Sequence, residues 1–188
     1  DPNDCWLTFD DGYSDHFKYV IPVLDKYNIK GTFYPTIRPL ISNKLLDVNK
    51  IHYILASTKD LKYIYEKIKY FYIKYKKNFL VSVTNEDAES DFNNFLKNVN
   101  SIHRWDSHGI VRIKRLLQFA IPTDTREYIC NELFNEFVDY SEYELSKSLY
   151  MNIDNLTKIK KNGHEIGIHG YDHLRWATLN LNHQKTEI

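Results

Sequence analysis

Cysteine is scarce: the chain has two, Cys5 and Cys130, far apart and outside any CxxC pair. A cysteine-based zinc site is therefore not expected, and both thiols, set among apolar neighbours, read as buried and free. Neither sign of charge prevails, with 25 basic against 25 acidic residues and a formal net charge of zero. A general electrostatic grip on nucleic acid needs a clustered basic surface, so no nucleic-acid partner is expected, local basic stretches such as Lys67 to Lys77 notwithstanding. No apolar run reaches the roughly 18 residues of a bilayer-crossing helix, so no membrane span is expected. No signal peptide, internal repeat or low-complexity linker is visible either. The chain enters an apolar segment directly after Asp1-Pro2-Asn3-Asp4 and stops at Thr186-Glu187-Ile188 within a helical pattern. Both ends read as cut. Compartment is left open, with the cytoplasm favoured over export, and the oligomeric state is not legible.

What is present is a chain of 188 residues, long enough to bury a substantial core without disulfides. Cys5 to Phe9 is a short apolar run ending in two aspartates and a glycine, the pattern of a buried parallel strand entering a functional loop. Apolar residues at helical spacing follow over His16 to Tyr27, with Pro22 placed in a first turn or at a kink. Thr32-Phe33-Tyr34-Pro35 reads as a second strand, completing a βαβ unit and an α/β fold class. The same grammar returns later. Leu149 to Lys161 predicts a helix with Leu149, Ile153, Leu156 and Ile159 on one face, and Gly163 suits a left-handed cap. His164 to His169 alternates as a strand, and Trp176 to Ile188 opens another helix.

Between these pieces the composition turns to Lys, Asn, Tyr and Ile. Leu61, Ile64, Tyr65, Ile68, Phe71, Tyr72 and Tyr75 form one amphipathic face. Ile110 to Phe119 and Arg126 to Val138 predict two further helices, and Ser141-Glu142-Tyr143-Glu144 has the spacing of a capping box. The polar stretch Ser82 to Asp91 reads as a loop. The expected organisation is thus residues 1–41 and 149–188 as α/β parts, with 42–148 as a mostly helical insertion.

Two motifs carry chemistry. In Thr8-Phe9-Asp10-Asp11-Gly12, adjacent carboxylates at a strand end are costly unless a cation or a hydrogen-bond network uses their charge, and Gly12 permits a sharp turn. In His169-Gly170-Tyr171-Asp172-His173, two imidazoles four apart point the same way if the backbone between them turns helically. Alone, the first is also a solvated turn and the second a surface histidine pair. Together they follow two core strands of an α/β unit, whose ends converge on one face. Asp11, His169 and His173 then offer one oxygen and two nitrogens, a set suited to zinc, with cobalt, nickel or iron as substitutes.

The first motif and the later histidine pair, with Gly163-His164-Glu165-Ile166-Gly167-Ile168-His169 leading into it, resemble the polysaccharide deacetylases, carbohydrate esterase family four or nodulation-protein-B type. The flanks Tyr13-Ser14-Asp15 and Gly31-Thr32-Phe33-Tyr34 agree, and the resemblance spans residues 5–40 and 149–188. It implies a distorted (β/α) barrel, here partial, and metal-dependent hydrolysis of N-acetyl or O-acetyl groups on a cell-surface polysaccharide or its sugar precursor. It makes Asp10 the catalytic base, Asp11 the metal-binding aspartate, and His169 and His173 the metal histidines. Gly170 stands where many relatives carry Ser or Thr. The family's later motifs, which supply an arginine, an acetyl pocket and a general acid, would lie beyond a chain ending 15 residues past His173 (188 − 173). The alternative is an inactive deacetylase-like domain that binds carbohydrate or protein. Outside the motifs, His52, His103, His108, His164 and His183 read as surface or satisfied core residues. The Tyr63 to Tyr75 helix reads as core packing rather than a sugar-stacking face. Trp105 has no assigned role, and Trp176 is a candidate for the entrance of the site.

Overall fold

The computed structural model describes residues 5–79, 83–97 and 106–188. His103, Trp105 and the first residue of the expected 82–91 loop lie outside them. Three strands form one parallel sheet: β1 (Leu7–Asp11), β2 (Gly31–Pro35) and β3 (Glu165–Ile166), in the order β1-β2-β3. The described helices are α1 (Ile21–Lys26), α2 (Ile37–Ser42), α3 (Asp47–Ser57), α4 (Leu61–Phe79), α5 (Asn85–Lys97), α6 (His108–Arg115), α7 (Thr123–Phe137), α8 (Glu142–Leu149), α9 (Ile153–Lys161) and α10 (Leu181–Thr186). The chain is α/β and mostly helical. None of the described helices is long and apolar enough to cross a membrane. Internal packing divides it into two units, Asp1–Leu46 with Tyr140–Ile188, and Asp47–Asp139.

In the first unit β1 and β2 run in register from Leu7↔Gly31 to Asp11↔Pro35. Alternation along β1 turns Leu7 and Phe9 toward the packed side, while Thr8 and Asp10 are exposed. The packed side holds Ile21 and Leu24 of α1, Phe33 of β2, and Leu156 and Ile159 of α9 in one apolar cluster with Met151. Phe9 stacks on Phe33 with ring centroids 4.9 Å apart. Pro22 is the second residue of α1, which directly follows a π turn, a helix irregularity that accommodates the missing N–H. A single π turn, His16–Val20, precedes that helix.

Several expectations need correcting in this unit. The helix expected from Leu149 starts instead at Ile153, because Asn152 and Asn155 cap it reciprocally, and Leu149 ends α8. Ile153 is consequently exposed, while Leu156 and Ile159 are buried. The alternating stretch His164 to His169 pairs only through Glu165 and Ile166, because from Gly167 onward the chain leaves the ladder for a loop. Its last tie is the Gly167 N–H, which donates to the Phe33 carbonyl at 2.9 Å. Cys5, two residues before β1, is exposed rather than buried, whereas Cys130 of the second unit is buried as expected, desolvation pushing its thiol well up. Gly163 does take the left-handed conformation, at φ 83°.

His164 is fully buried and satisfied. Its Nδ1 accepts from the Gly31 N–H at 3.2 Å, and its Nε2 lies 3.2 Å from Asp25 Oδ1. One side chain thereby ties β2, α1 and the approach to β3 together.

The second unit buries Ile64, Ile68, Phe71 and Tyr72 of α4 with Ile129, Leu133 and Phe134 of α7. Burial pushes the Tyr72 phenol up to about 12. Of the tyrosines on α4, Tyr63 and Tyr70 are exposed, so core packing accounts for only part of that run. The expected loop over 82–91 is mostly α5. Thr84 and Asp87 cap each other reciprocally, and Ala88 and Phe92, four apart, supply the buried face that lets so polar a segment stay helical.

Candidate metal centre

The β1 strand ends in a backbone that only a few residue types accept. Asp11 has φ 68° and Gly12 φ 74°, both left-handed. Aspartate is among the side chains enriched in that region, and glycine enters it without penalty. A Cβ on Gly12 would also sit 2.8 Å from Pro35 Cβ, so the turn is closed by steric contact with the end of β2. The turn is held from beneath. The Gly12 carbonyl accepts the Met151 N–H at 2.8 Å, the Ser14 hydroxyl donates to the Ser148 carbonyl at 2.8 Å, and Tyr13 stacks on Tyr150.

The second motif is also built on left-handed backbone. The helical turn expected between His169 and His173 does not form. The segment is a loop in which Gly170 (φ 81°) and His173 (φ 58°) turn the chain, so the two rings meet with centroids 4.8 Å apart. A side chain at Gly170 would be strained by that φ, and its Cβ would lie 2.8 Å from Glu187 Oε2. This explains why glycine, rather than Ser or Thr, occupies the position here. The loop rests on α2. The Ile37 N–H donates to the Gly170 carbonyl at 3.1 Å and the Arg38 N–H to the Tyr171 carbonyl at 3.0 Å.

The two motifs meet. Asp11 Oδ1 lies 3.3 Å from His169 Nε2 and 3.3 Å from His173 Nε2, and one donor atom from each residue falls within 4.8 Å of the others. Side-chain exposures of 21, 33 and 36 % leave the group reachable from solvent. Asp11 Oδ1 is itself buried and, apart from its 3.3 Å approaches to the two imidazoles, has no hydrogen-bond partner. A buried carboxylate oxygen without a hydrogen bond is costly, and a cation shared with two imidazole nitrogens would remove that cost. The donor set therefore fits a divalent ion. Electrostatics agrees: the His173 ring, with help from His169 and the Tyr13 phenol, holds the Asp11 carboxyl below the usual carboxylate range against the opposing effect of burial. Asp11 in turn raises His173, and the Asp10 charge reaches it as well.

Asp10 is exposed, with its strand partner Tyr34 on β2. Trp176, partly exposed, lies near Gly170, its indole nitrogen 3.4 Å from where a Cβ on that glycine would be. His183 is exposed on α10, apart from the donor trio. Five neighbours were given no role by the sequence. His16 lies beside Phe9, Tyr13 and Phe33, its Nδ1 buried without a hydrogen bond, and burial lowers its pKa. The Tyr13 phenol reaches the Asp11 carboxylate. Arg38 pairs with Asp172, and Glu187 accepts the Asp172 N–H. Of these, Tyr13 and Asp172 carried a sequence signal, their places beside the aspartate motif and within the histidine motif.

These features define an α/β protein with a candidate cation site at the carboxyl end of a parallel strand. Residues 1–66 match the family model of the polysaccharide deacetylases, whose members are typically metal-dependent hydrolases. The match includes Asp10 and Asp11 and stops before the two histidines. Searches of curated proteins and of solved structures gave no match to the chain.

Proposed function

We propose that this chain carries the metal site of a carbohydrate deacetylase that removes N-acetyl or O-acetyl groups from a cell-surface polysaccharide or its sugar precursor. The observation that carries the reading is the Asp11 Oδ1 atom, buried, without a hydrogen bond, and equidistant from two imidazole nitrogens. Asp11, His169 and His173 would hold the cation, zinc first by donor chemistry, with cobalt, nickel or iron able to take its place. When bound, such an ion supplies Lewis acidity toward the acetyl carbonyl and acidifies water. Asp10, on the adjacent residue and open to solvent, accepts the proton of the attacking water as its oxygen bonds to the carbonyl carbon. Trp176 is the candidate wall of the substrate entrance. The three parallel strands are read as part of a distorted (β/α) barrel, with the helical unit inserted between β2 and β3.

The test is metal analysis of the purified protein together with acetate release from a panel of acetylated sugars, formyl sugars included. Bound zinc and released acetate support the reading. Bound metal with no release across the panel favours the alternative, an inactive deacetylase-like domain that binds carbohydrate or protein. Failure to bind any divalent metal removes both the site and the chemistry.

A further inference from the structure

Asp172 stands one residue before His173, and its carboxylate is paired with the Arg38 guanidinium: a terminal nitrogen donates to Oδ2 at 3.0 Å, while Nε is in ion-pair contact with Oδ1, which has no hydrogen bond of its own. The pair is largely shielded, with side-chain exposures of 12 and 22 %. On its other flank, the Asp172 N–H donates to the buried Glu187 carboxylate at 3.2 and 3.3 Å. Arg38 belongs to α2, whose first N–H groups already carry the Gly170 and Tyr171 carbonyls. Every residue from Gly170 to Asp172 is therefore tied down, and the next, His173, has the left-handed φ of 58°.

A non-glycine residue keeps such a backbone only where its surroundings over-determine it. For a largely shielded ion pair, desolvation offsets much of the Coulombic attraction, so the pair adds little net stability of its own. A planar guanidinium set against both carboxylate oxygens, with a hydrogen bond to one of them, fixes direction as well as distance.

We infer that Arg38 and Asp172 are positioning residues: their pairing holds the His169–His173 loop so that the His173 imidazole stays aimed at Asp11. Neither belongs to the group of candidate cation donors. The inference rests on the metal reading above and adds that the site's affinity is set partly by a pair 134 positions apart in sequence (172 − 38).

The experiment uses the full chain and titrates zinc and cobalt into wild type, Arg38→Gln, Asp172→Asn and the double variant, with the visible absorption of bound cobalt as a second readout. Each single variant should lose about 10- to 100-fold in affinity and change the cobalt spectrum. The double variant should lose no more than the worse single one, since both break the same link. Arg38→Lys keeps the charge without the planar guanidinium, so it should fall between wild type and Arg38→Gln, and it remains informative if the other variants fold poorly. Affinities within about twofold of wild type, with an unchanged cobalt spectrum, overturn the inference even if melting temperatures fall, because a merely structural pair would move only the latter. If wild type binds neither metal, the metal reading itself fails, an outcome distinct from one in which wild type and variants bind alike.

Discussion

Replacing His164 with leucine tests how the site's supporting frame is held. The side chain is completely buried and makes two polar contacts, one to the Gly31 N–H and one to Asp25. Because Nδ1 accepts from the Gly31 amide, a neutral ring must carry its proton on Nε2 and donate it to the Asp25 carboxylate. Leucine fills comparable space but accepts nothing, so the Gly31 N–H at the start of β2 is stranded in the interior. A stranded buried donor costs about 1–3 kcal/mol. The lost bond to Asp25, a third exposed and partly compensated by water, adds about 1 kcal/mol. His164→Leu should therefore lower unfolding free energy by about 2–4 kcal/mol, a large share of the roughly 5–15 kcal/mol of an ordinary domain. Urea unfolding measures the loss, and the nitrogen chemical shifts of the wild-type ring report the tautomer. A loss below about 0.5 kcal/mol, or a proton found on Nδ1, would refute the assignment of this histidine as the tie between β2 and α1.

Three further outcomes follow from the site. His169→Ala and His173→Ala should each abolish zinc and cobalt binding, and retention of metal by either variant excludes that residue as a donor. Asp10→Asn should keep the metal while turnover falls about 10²- to 10⁴-fold, and surviving activity excludes Asp10 as base. Because burial lowers the His16 pKa below its ordinary 6.5, the unfolded chain takes up that proton first. Stability should then decline as pH falls from about 6.5 toward the lowered value, and His16→Phe should remove that part of the decline; parallel stability curves for the two proteins between about pH 7.5 and 5 would contradict it.

The parts of this protein legible from sequence are those that obey a period or a fixed punctuation. The apolar runs at β1 and β2, the buried stripe of α4 and the left-handed Gly163 all appear where their patterns put them. Departures arise where side chains compete for backbone. Asn152 captures the start of α9 from Leu149, and the Thr84–Asp87 cap turns an expected loop into α5. The grouping of Asp11 with the two histidines was expected from strand ends that converge, yet its mechanism was not. The imidazoles meet through left-handed turns at Gly170 and His173 rather than through a helical repeat, because α2 and Glu187 dictate the loop's path. Arg38, Asp172 and Glu187 lie too far apart in sequence for any local pattern to join them.

The candidate donor atoms of Asp11 and His173 lie 162 positions apart in the chain (173 − 11). An ion grasped by both would act as a removable cross-link between two stretches that are distant in sequence. Stabilisation should then grow with the logarithm of free metal concentration, by about 1.4 kcal/mol for each tenfold rise above the dissociation constant. Chelators would act as mild denaturants, and thermal melting in graded zinc would weigh the site's affinity before any substrate is known.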